Sequence, residues 1–306
     1  MPATATRSCY YILNPEAGKG RGRKIESELL HRLKHSHVQF EFSRTKEPLH
    51  ATELARSARE SFDAVVAVGG DGTVNEVAAG LVGARAALGV ISIGSGNDFA
   101  KMVHVPHEIP SAVSALQTDT IKQFDVGAAE LTFANGTTTT KYFFNTLGAG
   151  FDAAVAYQVK KINWLTGLPL YSLALLRTIF SYVPHQFQIE SATVREQSEC
   201  FLVCIGNGNW EGGGFALTPH AIPDDNKFEV CIIKGKSPLH ALKVVPKIFA
   251  GTHGSANNVH LFDTEELSIA SSQPFPVHGD GEIFGLDVTT LRTTIKAKSL
   301  NVLVPQ

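Results

Sequence analysis

Apolar and polar positions give the chain two textures. Through the first third, short apolar runs end in glycine-containing turns and are followed by apolar residues at helical spacing. The clearest unit is Ala64–Gly80, AVVAVGGDGTVNEVAAG. Ala64–Val68 is a run of small and β-branched residues suited to a strand covered on both faces, and Val74, Val77, Ala78 and Leu81 then recur at helical intervals. The same rhythm predicts strands at Cys9–Leu13, Val38–Phe42 and Leu88–Ile93, helices at about Ile25–Leu33 and about Pro48–Arg59, and a helix or turn from Phe99. Strands alternating with helices through short glycine loops predict an α/β domain built on a parallel, Rossmann-like sheet.

After about Asp125 the texture changes. Val126–Phe133 and Thr137–Leu147 flank Asn135-Gly136, a strong signal for a two-residue hairpin. Strand-like runs follow at Phe187–Arg195, Glu199–Ile205, Phe228–Lys234, Glu266–Ala270 and Ile283–Leu291, interrupted by helices near Pro169–Tyr182 and Ser237–Ala250. This half is expected to be a mainly antiparallel β-sandwich. Residues 1–127 then form the α/β domain, with 295–306 returning to it, and 128–294 form the β-rich domain.

Composition narrows the classes of partner. The 306 residues suffice for two domains with substantial cores, and 27 Lys plus Arg against 29 Asp plus Glu give a net charge of −2. That balance offers no bulk attraction to nucleic acid or anionic lipid, and nucleic acid is not an expected partner. The first residues, MPATATRSCYYIL, lack the apolar core of a signal peptide, and Cys9, Cys200, Cys204 and Cys231 are too few for a disulfide framework. The cytoplasm is the expected compartment. Ile162–Leu176 carries no charge, but its 15 residues fall short of the ~20 that a spanning helix needs. With Trp164 and Tyr171 in it and Arg177 closing it, the segment suits a soluble helix or one lying at a membrane interface.

Candidate chemistry sits in the turns. In Gly69-Gly70-Asp71-Gly72-Thr73 the glycines let a ligand approach the backbone, and the amides of the following helix offer a site for an anion such as phosphate. Asp71 would repel a phosphate unless a divalent cation lay between them, so the loop suggests Mg²⁺ with a nucleotide. The plainer alternative is Asp71 as the helix N-cap. Two further loops end strands at the edge where ligands collect in such sheets: Glu16–Lys24 with Gly18, and Gly94-Ser95-Gly96-Asn97-Asp98. Neither common phosphate fingerprint fits. Gly18-Lys19 is followed by Gly20 rather than Ser or Thr, and Gly18-x-Gly20 and Gly70-x-Gly72 meet Arg23 and Asn75 where a dinucleotide loop needs glycine.

Gly69-Gly70-Asp71-Gly72-Thr73-Val74-Asn75-Glu76 and Gly94-Ser95-Gly96-Asn97-Asp98-Phe99-Ala100 together resemble the diacylglycerol-kinase catalytic-domain family, especially its soluble bacterial lipid-kinase branch. The resemblance spans nearly the whole chain. Asn14-Pro15, Thr45, Asp125, Asn145 with Gly148–Asp152, Gly212-Gly213-Gly214, Pro219-x-Ala221, Asp225 and Asp280-Gly281-Glu282 follow in the family's order. Gly-Gly-Asp-Gly-Thr by itself is also similar to a motif of NAD kinases.

The resemblance implies a kinase that uses ATP and Mg²⁺ to phosphorylate a hydroxyl of diacylglycerol or a related lipid, with the chemistry between the two domains. Asn14, Pro15, Gly18, Thr45, Gly69, Gly70, Asp71, Gly72, Thr73, Val74, Asn75, Ser95 and Asn97 would line the ATP site. Asp71, Asp98 and Asp125 would hold Mg²⁺ directly or through water, and Asp225 a structural Mg²⁺ with the carbonyls of Ile222 and Lys227. Asp280 or Glu282 would take the proton of the acceptor hydroxyl. Two residues apart on an extended segment, both carboxylates would point the same way; the alternative is a surface turn at Gly279-Asp280-Gly281. The chain departs from the family at Asp225-Asn226-Lys227, where a further aspartate is usual, at Ser95 in place of threonine, and at His278-Gly279 before Asp280. Other readings are a kinase for a soluble acceptor such as NAD and a nucleotide or lipid sensor without turnover. The implied partners are a lipid at the inner face of the membrane, met by peripheral contact, and a second copy in a homo-oligomer. Lys19, Arg21, Arg23 and Lys24 form the strongest basic cluster, suited to phosphates, to anionic lipid or to plain solvation.

Overall fold

The structure, a computed structural model, describes residues 7–36, 38–117, 120–162, 164–165, 167–235 and 238–305. Ser237 at the start of an expected helix and Asn163 and Thr166 of the uncharged segment lie outside the described residues. The chain separates into two units, Met1–Phe124 with Lys298–Gln306, and Asp125–Ala297.

In the first unit β1 (Ser8–Leu13), α1 (Ala17–Lys34), β2 (Gln39–Arg44), α2 (His50–Ala58), β3 (Ala64–Gly69), α3 (Asp71–Leu81), β4 (Ala87–Ser92), α4 (Asp98–Met102) and α5 (Ile109–Ala115) follow one another. β1 pairs in parallel with β2 and β3, and β3 with β4. Every residue of β3 and β4 is buried, as unbroken apolar runs require of strands covered on both faces. Leu13 is in register with Val68, and Val68 with Ile91, so β1, β3 and β4 finish level and their following turns lie side by side. The loop expected at Glu16–Lys24 is largely helical: α1 begins at Ala17, and Gly18, Lys19 and Gly20 take left-handed conformations before the regular turns.

β5 (Ile121–Phe133) carries the chain into the second unit, where β6 (Thr138–Phe143), β7 (Thr146–Gly150), α6 (Phe151–Lys161), α7 (Gly167–Ile179), β8 (His185–Glu190), β9 (Arg195–Gly206), β10 (Phe228–Lys234), α8 (Pro238–Phe249), β11 (Val259–Thr264), β12 (Glu266–Gly279) and β13 (Glu282–Leu303) follow. The pairing there is antiparallel: β11, β10, β9, β7, β12 and β13 lie in that order, β8 pairs with β9 and β12, and β5 with β6. Its core is aromatic and aliphatic, with Phe143 stacked on Phe228 and Phe187 edge-on to Phe275. The strand expected over Thr137–Leu147 breaks at Phe144-Asn145, because those amides turn away from the ladder to a carboxylate described below. The run expected at Ile283–Leu291 and the returning segment 295–306 join in one strand, β13, whose residues from Lys298 onward belong to the first unit and pair in parallel with β4. Helix α6 and strand β11 were not expected from the pattern. No described helix is long and apolar enough to cross a membrane.

Helices α2 and α3 meet at Gly80. A Cβ there would lie 2.7 Å from Ala55 Cβ and 2.8 Å from the Thr52 carbonyl oxygen, so nothing larger than glycine fits without separating the helices. Gly80→Val is expected to destabilise the fold by about 1–3 kcal/mol, the usual cost of overpacking. Urea denaturation measures it; an unchanged midpoint would show that the helices part at no cost.

Candidate functional site

In the first unit the three level strand ends are stitched together by backbone bonds. Asn14 N–H donates to the Val68 carbonyl (2.9 Å) and Ile93 N–H to the Gly69 carbonyl (2.8 Å). The turns after β3 and β4 then touch backbone to backbone: a Cβ on Gly94 would stand 2.8 Å from Gly70 Cα. Asp71 does not cap α3. Gly70 holds the cap position in an extended conformation, and no side chain caps the helix. The Asp71 carboxylate instead reaches the neighbouring turn, where Oδ2 accepts Asn97 N–H and Oδ1 accepts Asp98 N–H, each at 2.8 Å. Asn97 sits in the left-handed region and donates from Nδ2 to the Gly94 carbonyl (3.1 Å).

The other expected nucleotide-site residues gather at this edge. Asn14 Nδ2 donates to Thr73 Oγ1 (3.0 Å), tying the loop after β1, with Pro15, to the first turn of α3. Gly18 lies against the backbone of Ile93, and Thr45 N–H donates to the Leu13 carbonyl (2.8 Å). Ser95 is exposed, Gly72 and Asn75 are half-buried, and the Val74 side chain is buried as packing. A Cβ on Gly96 would meet Asp71 Oδ2 at 2.7 Å and Asp98 Oδ2 at 3.6 Å, so these two carboxylates face one point. Lys101 Nζ is 3.4 Å from Asp98 Oδ1. Converging carboxylate oxygens suit a hard cation such as Mg²⁺, and the first amides of α3, which have no acceptor within their own helix, suit phosphate.

The second unit holds Asp125, Asp225, Asp280 and Glu282. Asp280 and Gly281 form a two-residue turn between β12 and β13, both with positive φ (51° and 78°), and Gly279 pairs with Glu282 across it. The extended geometry expected for Asp280–Glu282 is therefore absent, because two left-handed residues reverse the chain and send the carboxylates apart. Glu282 is exposed and pairs with Lys160 (2.6 Å). Asp280 turns inward: Oδ2 accepts Phe144 N–H (2.7 Å), and Oδ1 accepts the N–H groups of Asn145 (2.8 Å) and Thr146 (2.9 Å). Burial pushes this carboxyl up to about 6 against the opposing pull of those amides.

Asp125 is buried, and its Oδ2 accepts Asn226 N–H while its own N–H donates to the Pro223 carbonyl, both at 2.7 Å. Asn207 joins it to Asp280. Asn207 Nδ2 donates to the carbonyls of Asp125 (3.0 Å) and Phe144 (2.9 Å), and Phe144 N–H reaches Asp280. Asp225 folds back on its own loop, with Oδ1 accepting Lys227 N–H (3.0 Å); burial raises its carboxyl, and the nearby Asp263 and Asp125 add to the effect. Behind the Asp280 turn lie His278, Asp152 and Glu211. Sequence reasoning missed Asn207 and Glu211 and gave Asp152 and His278 no role of their own. Gly206-Asn207-Gly208-Asn209, closing an apolar strand much as Gly94-Ser95-Gly96-Asn97 does, was the available signal for Asn207.

The chain matches the diacylglycerol kinase catalytic domain over residues 8–129 and the YegS C-terminal NAD kinase beta sandwich-like domain over residues 145–304. It is 28% identical over 280 residues to a diacylglycerol kinase of Bacillus subtilis, covering 90% of this chain and 89% of that one. The crystal structure of a diacylglycerol kinase from Bacillus anthracis superimposes with a TM-score of 0.74 at 20% identity, covering 98% of both chains. A more distant likeness in fold is yeast NADH kinase complexed with NADH, with a TM-score of 0.60 at 10% identity over 99% of this chain and 85% of that one. With family matches in both units, the chain belongs to the diacylglycerol kinase catalytic-domain family, alongside the bacterial lipid kinases.

Proposed function

We propose that this protein is an ATP- and Mg²⁺-dependent lipid kinase that phosphorylates a hydroxyl of diacylglycerol or a related lipid. The observation that carries the reading is the convergence of Asp71 and Asp98 beside the glycine turn that opens α3. The amides from Gly70 to Asn75 receive the phosphates, and Asn14, Thr45, Ser95 and Asn97 complete the nucleotide edge. Asp71 and Asp98, with Asp125 as a further donor, would hold Mg²⁺, which would supply neutralisation of the phosphate charge. Asp280 accepts the proton of the lipid hydroxyl as that oxygen attacks in line. Its carboxyl near 6 is ionised at neutral pH and still basic enough for that task. The remaining catalysis is positioning.

A lipid acceptor also accounts for an apolar surface in the second unit. Trp164 is 65% exposed and Phe180 68% exposed, Leu176 and Val183 are exposed near them in the chain, and Lys161 lies 4.0 Å from the centre of the Tyr157 ring. Aromatic and aliphatic side chains flanked by Lys160, Lys161 and Arg177 suit reversible docking on the cytoplasmic face of a membrane with anionic headgroups. An acceptor dissolved in water, such as NAD, would make no use of them.

ATP consumption by the full chain, with and without Mg²⁺ and with extracted membrane lipids as acceptors, tests the proposal; no turnover on any lipid would overturn it. Asp71→Asn is expected to abolish measurable Mg-ATP binding in calorimetric titration, whereas an unchanged dissociation constant would leave Asp71 only as the link between the two turns. Asp280→Asn should lower kcat by ~10²–10⁴ with little change in ATP affinity. Because the Asp280 carboxyl is raised to about 6, wild-type activity should be full above that value and fall about tenfold per pH unit below it, as the base gains its proton. A crippled Glu282→Gln beside a near-wild-type Asp280→Asn would reverse the roles. Trp164→Glu with Phe180→Glu should reduce vesicle sedimentation and turnover of bilayer lipid while sparing a short-chain soluble analogue. Equal losses on both substrates would make the surface structural.

A further inference from the structure

His278 takes no part in the chemistry above, yet it is fully buried at the end of β12, two residues before Asp280. Its ring lies between two sets of partners. On one side Nδ1 accepts Gly281 N–H at 3.3 Å, the second residue of the turn. A ring nitrogen that accepts an N–H carries no proton, so the proton of the neutral ring is on Nε2. That nitrogen lies 3.1 Å from Glu211 Oε1 and 3.7 Å from Asp152 Oδ2, within reach of charge attraction but without an aligned hydrogen bond to either. Glu211 is reached in turn by Thr146 Oγ1 (3.4 Å), and Thr146 N–H donates to Asp280. The contacts close a circuit from Asp280 through Thr146, Glu211, His278 and Gly281 back to Asp280. A side chain at Gly148 would collide with both the Asp152 carboxylate and the His278 ring, so that position leaves the space the pair occupies.

Other titratable groups lie about this ring or about its partners Asp152 and Glu211. Asp152 comes from α6, Cys204 from β9, Cys231 from β10, Tyr182 from the segment after α7, Glu211 from the loop after β9 and Asp280 from the turn. Burial opposes a charge on the ring, yet Glu211 and Asp152 outweigh it and push the ring up to about 10; the Gly281 contact at Nδ1 belongs to the form without a proton there. The donor atoms of Asp152, Cys204 and Glu211 lie within 4.8 Å of one another, a spacing that would suit a transition metal. A histidine bound to metal through Nε2 would turn a protonated Nδ1 toward Gly281 N–H, however, and burial holds the Cys204 thiol neutral.

We propose that His278 is a positioning residue for Asp280: braced by Glu211 and Asp152, it holds the two-residue turn through Gly281 and so fixes the Asp280 carboxylate against its three amides. The proposal rests on reading Asp280 as the base. Loosening the turn weakens the amide bonds that stabilise the ionised carboxylate, so its titration midpoint must rise.

The test follows the Asp280 carboxyl by carbon-13 NMR in the full chain labelled at aspartate, with Asp280→Asn giving the assignment. In His278→Gln the midpoint is expected to rise by on the order of one unit. In the same variant kcat should fall roughly tenfold or more, with the KM for ATP within about twofold. Glu211→Gln should move the midpoint the same way by less, and it decides the matter if His278→Gln does not fold. An unmoved midpoint in a folded variant would overturn the proposal. So would a stoichiometric transition metal that purifies with the wild type and is lost in His278→Gln. If the wild type consumes no ATP with any lipid, the reading of Asp280 as a base fails, while the NMR titration still decides whether His278 positions that carboxyl.

Discussion

A carboxylate withdrawn from water must be met by donors, and for Asp71, Asp125 and Asp280 backbone amides are among them. Asp71 accepts the N–H groups of Asn97 and Asp98, Asp125 that of Asn226, and Asp280 those of Phe144, Asn145 and Thr146. Hydrogen bonds to a charged group contribute about 1.5–3 kcal/mol each, and amides already fixed in a turn or strand lose little further freedom in making them. Each acid therefore fixes a distant segment. Asp71 joins two turns 26 residues apart in sequence, and Asp280 reaches a strand break 136 residues away. An ionised carboxylate accepts at about four positions, so Asp71 keeps acceptor capacity for a cation after both amides are bound.

The two glycine turns of the first unit show why residue type matters where backbones meet. Gly70 and Gly94 approach too closely for a side chain on Gly94, and only that contact brings the Asn97 and Asp98 amides within reach of Asp71. The level ends of β3 and β4 set the approach. Parallel register, glycine and carboxylate are thus one arrangement, in which packing of buried strands places groups able to meet phosphate and metal.

In the second unit one residue type serves two demands. Asp-Gly is a favoured pair for a two-residue hairpin turn because both central residues need positive φ, which aspartate tolerates better than most side chains. The same turn aims the Asp280 carboxylate inward, where burial raises it and amides restrain the rise. Asn207, Thr146 and His278 each reach this turn or the strand break it meets, so they bear on how that balance is held.

The sequence by itself determined the elements that rest on local pattern. Ala64–Val68 is too uniformly apolar to be anything but a covered strand, the glycines after it force a turn, and the spacing of Val74, Val77 and Ala78 makes the next segment a helix. The candidate acids were legible too, Asp71 from its glycine turn and Asp98, Asp125 and Asp280 through the family resemblance. Tertiary structure alone decided what each acid does. Nothing local shows that Asp71 spans to Asn97 rather than capping its own helix, or that Phe144-Asn145 leaves its ladder for a carboxylate far along the chain. The expected alignment of Asp280 with Glu282 failed because alternation along a strand holds only while φ stays negative, and two left-handed residues end it. His278, Asp152 and Glu211 lack any common spacing, and only the pairing of β7 with β9 and β12 brings them to one buried place.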